Sequence, residues 1–266
     1  EALYALGRGI GNNDNTLAAS LLQLALHLTP QSDYPLVALG AVREGMRQHE
    51  AAIELYRRLP NDAPLRREAL LQQALNLNIL KRHDEAIVIL EQLVEEEPTD
   101  TATTIALGNV HRSLDRFDKA AEVYSASIET LGEVPPPFWT LHYYRGIAYE
   151  RTDRWPLAEK EFRRALELSP EHPLVLNYLG YSYIDRGENL DEALQMVRRA
   201  VEQRPEDGYI VDSLGWAYYR LGRFDEAVRE LEKAVSLRPA DAVINDHLGD
   251  AYWKVGRQLA AMFQWA

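Results

Sequence analysis

Residues 208–241 read GYIVDSLGWAYYRLGRFDEAVRELEKAVSLRPAD. Val211, Leu214, Gly215 and Tyr218 recur at helical spacing, and after a break Ala227, Leu231 and Ala234 do so again. Gly222 suits the left-handed C-cap of the first helix, and Asp225 suits the N-cap of the second. Pro239 closes the second helix, because proline cannot continue the hydrogen-bond ladder. The stretch therefore predicts a hairpin of two helices, A and B.

The same pattern recurs along the chain. A 34-residue offset lays Leu214-Gly215 over Leu248-Gly249, and one of 35 residues lays Leu179-Gly180 over Leu214-Gly215. Position 8 of successive units is Gly40, Ala74, Gly108, Gly146, Gly180, Gly215 and Gly249, and position 20 is Ala52, Ala86, Ala120, Ala158, Ala193, Ala227 and Ala261. A small residue on helix A facing Ala on helix B lets the two helices approach closely. Pro64, Pro98, Pro170, Pro205 and Pro239 share position 32 as terminators of helix B. Gly187 and Gly256 repeat the C-cap signal, and Asp84, Asp118 and Asp191 the N-cap signal. The units run 1–32, 33–66, 67–100, 101–138, 139–172, 173–207, 208–241 and an incomplete 242–266. The first is irregular, with a remodelled turn expected at Asn12 to Asn15. Pro135, Pro136 and Pro137 lengthen the fourth connection, where a bend rather than a domain boundary is expected.

Val211, Leu214, Gly215, Tyr218, Ala227, Leu231, Ala234 and Pro239 together resemble the tetratricopeptide repeat family. The resemblance implies an all-α fold, a right-handed α-solenoid of about eight stacked hairpins forming a single domain over residues 1–266. It also implies that helix A of each repeat lines a concave groove, which suits an extended peptide or a partner helix better than a small molecule.

The formal charge of -12 gives no electrostatic reason to approach nucleic acid, and no long basic run supplies a local exception. Without cysteine there is no disulfide, thiolate metal site or cysteine nucleophile. No apolar run approaches the roughly 20 residues that span a bilayer, so no membrane insertion by this segment is expected. The motifs HExxH, GxSxG, GxGxxG and GxxxxGK[ST] are all missing, so neither catalysis nor a cofactor is expected. The histidines are scattered through separate repeats, and the Asn12 to Asn15 run carries Gln23 where a calcium loop needs Glu, so no metal is expected. A start at Glu1 and a stop at Ala266 within a helical pattern lead us to expect a longer parent protein.

In the family, ligand contacts usually fall at positions 2, 5, 6, 9, 12 and 13 of helix A, and here the two halves differ. Repeats two to four offer mainly Val37, Ala41, Leu71, Leu75 and Ile105. Repeats five to eight offer Tyr143, Tyr144, Tyr178, Tyr181, Tyr209, Trp216, Tyr219 and Trp253, interleaved with Asn177, Asp185, Asp212, Arg220, Asp246, His247 and Asp250. The expected partner-binding set is Tyr143, Asn177, Tyr178, Tyr181, Tyr209, Asp212, Trp216, Tyr219, Arg220, Asp246, Asp250 and Trp253. Tyr and Trp combine large contact area with a hydrogen-bonding tip, as binding hot spots do. Aromatic residues at helical spacing also pack as core, and that alternative stays open here.

The runs Asn177-Tyr178-Leu179-Gly180-Tyr181, Asp212 to Arg220 and Asn245 to Trp253 further resemble bacterial exported tetratricopeptide lipoproteins. Those proteins are adaptors of a periplasmic carboxyl-terminal processing protease and present substrates such as peptidoglycan hydrolases to it. The resemblance implies a periplasmic scaffold, anchored at the outer membrane in its full-length form, with protein partners and no chemistry of its own. The competing expectation is a regulatory or substrate-recruiting repeat domain of a larger enzyme such as a glycosyltransferase.

Overall fold

The structure, a computed structural model, describes residues 2–10, 14–30 and 32–265. By packing, the chain divides into two compact units, Glu1–Val134 and Pro135–Ala266. The first contains α1 (Ala2–Ile10), α2 (Asn15–Leu28), α3 (Asp33–Gly45), α4 (His49–Arg57), α5 (Arg66–Ile79), α6 (His83–Glu96), α7 (Thr101–Ser113) and α8 (Phe117–Leu131). The second opens with a 3-10 turn, Pro136–Phe138, where the sequence led us to expect a bend. It continues with α9 (Trp139–Glu150), α10 (Trp155–Leu168), α11 (Pro173–Arg186), α12 (Leu190–Gln203), α13 (Gly208–Arg220), α14 (Phe224–Leu237), α15 (Ala242–Lys254) and α16 (Gln258–Gln264). Among the described residues the fold is all-α, and odd and even helices pair as the A and B members of eight hairpins.

The two helices of the hairpin at 208–241 bury different amounts of surface. On α14 a single stripe of Ala227, Val228, Leu231 and Ala234 is buried, as on an outer helix with one packed face. On α13 almost the whole circumference is buried, from Ile210 and Val211 through Leu214 to Tyr218, because this helix packs on α14, α12, α11 and α15 at once. α13 is thus the inner member of its hairpin, and a side chain that reaches solvent from it does so through a narrow strip.

The seven position-20 alanines are all 0% exposed. What lies nearest the position-8 glycine, however, is the large side chain at position 24 rather than that alanine. A Cβ on Gly146 would meet the Phe162 ring at 2.7 Å, one on Gly215 the Leu231 side chain at 2.5 Å, and one on Gly40 or Gly108 the rings of Tyr56 and Tyr124.

Two local expectations are corrected. Asp84, Asp118, Asp191 and Asp225 are not N-caps: their helices begin one residue earlier, placing each aspartate inside the first turn. There they act through the positive helix N-terminus rather than by capping. The side-chain caps that form are Asp14, Asp100, Asp207 and Asp241, which accept backbone N–H bonds at the starts of α2, α7, α13 and α15. Pro98, Pro170, Pro205 and Pro239 each follow the last helical residue by two positions, but α4 ends at Arg57, ahead of Pro60 as well as Pro64. The turn expected to be remodelled at Asn12 to Asn15 lies partly outside the described residues, at Asn12 and Asn13.

Candidate functional site

Within the second unit α11 packs on α13 and α13 on α15, so three consecutive A helices bring their side chains together. Trp216 of α13 stacks on Tyr219 one turn later, with ring centroids 4.7 Å apart and planes 7° apart. It also stacks on His247 of α15 at 4.1 Å and 14°. The imidazole is held by Asp212, whose carboxylate oxygens lie 2.9 and 3.1 Å from His247 Nδ1. Asp212 is only 6% exposed, so the neighbouring helix supplies the hydrogen bond that this buried carboxylate needs.

Arg220 joins the same cluster to α11. Its Nη1 donates to the Asp185 carbonyl at 3.1 Å and lies 3.7 Å from the Asp185 carboxylate. Burial raises the Tyr181 hydroxyl pKa, the charges of Asp185 and Asp212 raise it further, and Arg220 pulls it back. The Tyr219 hydroxyl is likewise pushed up by burial and by Asp250, with Arg220 again opposing. The structure thus brings together Tyr181, Asp212, Trp216, Tyr219, Arg220 and Asp250 of the expected set, and adds Asp185 and His247.

The other expected residues are placed differently. Tyr143 and Tyr178 pack against the hydrophobic core, as Trp216 and Tyr219 also do, but around Phe162: they lie 5.9 Å apart, with Tyr143 5.3 Å from Tyr144 and Tyr178 5.2 Å from Phe162. The Tyr178 hydroxyl donates to Glu150 at 3.2 Å, so much of this pair serves packing. Between Tyr178 and Tyr181 a cavity of about 460 Å³ opens, walled also by Glu150, Trp155 and Asp185. Asn177 is half-buried, and Asp246 is exposed. Tyr209 is 51% exposed at the start of α13, with the Arg238 guanidinium 4.8 Å from its ring centre. Trp253, 49% exposed, lies 5.9 Å from Trp265.

Volume alone would point elsewhere. The first unit holds a cavity of about 760 Å³ beside Tyr4, Leu28 and Pro35 and another of about 690 Å³ lined by Tyr4, Tyr34, Val37, Ala38, Ala41 and Glu68. Their walls are mainly aliphatic and aromatic, whereas α11, α13 and α15 offer charged groups, hydroxyls and ring faces together, the mixture that fixes a partner's orientation.

The sequence reading missed a buried ionic cluster in the first hairpin of this unit. Glu161 accepts from Arg145 Nη2 at 2.8 Å and Nε at 2.9 Å, and lies 2.7 Å from His142 Nδ1. Burial raises the Glu161 pKa, but the His142 hydrogen bond and the Arg145 charge outweigh it and hold the carboxyl below its ordinary value. His142 and Arg145 stand three residues apart on one helix face, which sequence shows, but their partner on α10 is evident only once the hairpin closes.

Sequence profiles of the tetratricopeptide repeat match residues 68–100, 105–173, 143–208 and 215–256. No curated protein matches the chain. Among solved structures, it is similar to a tetratricopeptide repeat protein from Parabacteroides merdae, at 17% identity and TM-score 0.68 over 86% of this chain and 89% of that one. It is also similar to a chain of the APC/C hetero-tetramer Cut9–Hcn1, at 16% identity and TM-score 0.69, spanning 99% of this chain but half of that one. The protein YrrB, described as having an unusual peptide-binding site, matches at 20% identity and TM-score 0.51 over 66% of this chain and 88% of its own. With its glycine-spaced hairpins and these matches, the chain belongs to the tetratricopeptide repeat family.

Proposed function

We propose that the protein is a non-enzymatic scaffold whose A-helix surface on α11, α13 and α15 binds an extended segment or helix of another protein. The observation that carries this reading is the Tyr219–Trp216–His247 stack, pinned by buried Asp212 and bordered by Tyr181, Asp185 and Asp250. Such a surface is rigid before a partner arrives, so little side-chain freedom is lost on binding. The peptide-binding site of YrrB and the partnered assembly Cut9–Hcn1 on similar folds are in keeping with it. The Asp212–His247 pair has the geometry of a base and its orienter, but among the described residues no nucleophilic hydroxyl hydrogen-bonds to His247. Ser213, next to Asp212 in the sequence, donates to the Tyr209 carbonyl.

The sharper form of the proposal takes the partner to be a periplasmic carboxyl-terminal processing protease and its substrates. It rests on the likeness of residues 177–181, 212–220 and 245–253 to exported adaptors of that kind.

Tyr181→Ala combined with Trp253→Ala tests the scaffold reading, because neither side chain belongs to the buried core. Recovery of the native partner on the immobilised chain should fall by about tenfold or more, with helicity and Tm nearly unchanged. Full recovery would remove this surface from the interface. A captured set lacking any protease would remove the adaptor reading while leaving the scaffold reading in place.

A further inference from the structure

Within the second unit, consecutive hairpins are latched by a recurring pair. The tyrosine at position 11 of helix A meets the residue at position 25 of the preceding helix B. Arg163 Nη2 donates to the Tyr183 hydroxyl at 2.8 Å, Arg198 Nη2 to that of Tyr218 at 2.8 Å, and the Tyr252 hydroxyl donates to Glu232 at 2.7 Å. Each polar tip at such a joint thus has a hydrogen-bond partner. In the first unit, the joint between α6 and α7 carries Glu91 at position 25 and His111 at position 11. The latch is not made there. Glu91 is exposed, while His111 is 4% exposed and its Nδ1 is buried with no partner among the described residues.

The surroundings set which protonation state this joint tolerates. α7 packs on α8, α6 and α5. Arg116 ahead of α8, Lys119 and Glu122 on α8, and Glu91 on α6 all act on the imidazole. α5 carries its charges, Arg66, Arg67 and Glu68, in its first turn, where Arg67 donates to Asp100 at 2.7 Å ahead of α7. His111 stands at the other end of α7, in the last turn beside Arg112. Burial lowers the His111 pKa from its ordinary 6.5, and Lys119 and Arg116 lower it further against Glu91 and Glu122. His172 is also lowered, by burial and Arg204, but it is half-buried and its ring lies 3.9 Å from that of Trp139, whose π face can take an imidazolium.

We infer that His111 is an acid-sensitive latch of the α6–α7 joint: the neutral imidazole lets the two hairpins close, and the imidazolium, buried beside Lys119 and Arg116, loosens them. The sign follows from the direction of the shift. Above pH 6.5 the contribution of His111 is complete, and it is lost as pH falls from there through the lower, folded-state value.

An NMR titration of the histidine-labelled whole chain, with hydrogen exchange followed peptide by peptide from pH 7 to 5, tests this. His111 should titrate below 6.5. The α6 and α7 amides should lose protection, corrected for the intrinsic exchange rate, by up to about tenfold per pH unit below that value. His111→Leu, which copies the buried Leu77 at position 11 of the preceding hairpin, should remove most of that loss, and His172→Gln should leave it in place. Titration of His111 at or above 6.5 would overturn the inference, as would an undiminished loss of protection in His111→Leu. Should His111→Leu fold poorly, the titration of the unaltered chain decides by itself.

Discussion

Position 15 of the repeat shows what a single residue contributes. Gly187, Gly222 and Gly256 hold it with φ of 71°, 74° and 80°, and the same left-handed turn is made at Arg47, Lys81, Asp115 and Asp153 with φ of 58°, 61°, 54° and 58°. A side chain with a Cβ is strained there, by about 1 kcal/mol or more, and glycine is not. Lys81→Gly should therefore stabilise the fold by about 0.5 kcal/mol, the strain relief exceeding the extra freedom glycine gives the unfolded chain. Chemical denaturation measures this directly, and a loss of stability would show that the Lys81 side chain compensates for its backbone. The turn was legible where glycine marks it and illegible in the repeats where it does not. The small-residue pattern at positions 8 and 20 was equally legible, but not which neighbour fills the space. Side chains on a helix lean toward its N-terminus, so the long group at position 24 of helix B reaches the glycine ahead of the short one at position 20.

At the level of the helix, caps and ion pairs decide what periodicity leaves open. Alternation of A and B helices could be read from the sequence to within a few residues, whereas their starts could not. An aspartate near a helix start can cap it or sit inside its first turn, and the left-handed residue at position 15 tightens the hairpin so that the second occurs in helix B. The hairpin of α9 and α10 adds a buried carboxylate that no sequence spacing announces. Glu161, 6% exposed, holds Arg145 and His142 across the helix pair. Because its folded-state pKa lies below the ordinary 4.5, the stability it contributes is complete above that value and is lost as pH falls through the lower, folded-state pKa. Glu161→Gln should cost about 3 kcal/mol at neutral pH, since it removes the buried carboxylate charge that both His142 and Arg145 hold. The variant should also lose less stability than the parent between neutrality and acid pH. Parallel denaturation curves for the two proteins across that range would contradict this account.

Over the whole molecule, the eight hairpins of the all-α fold were legible because the repeat states them again and again, and one clear copy at residues 208–241 sets the register for the rest. The binding surface was legible only as a list of A-helix positions. Spacing places Tyr143, Tyr178, Tyr181 and Tyr219 alike, and packing gives them different neighbours: the first two lie against Phe162, Tyr219 stacks on Trp216 with both set against the same core, and Tyr181 meets the charges of Asp185 and Asp212. His247, one polar residue among several in the sequence, becomes the link between α13 and α15 once Asp212 is seen to hold it. The central claim is that a protein partner lies on α11, α13 and α15, and site-specific photo-crosslinking tests it most directly. A photoreactive residue would replace Tyr181 or Trp253 on that surface, or exposed Leu157 on α10 or Val88 on α6, in the presence of the native partner. The account predicts crosslinked partner from Tyr181 and Trp253 and little from Leu157 or Val88, and crosslinking confined to Leu157 or Val88 would contradict it.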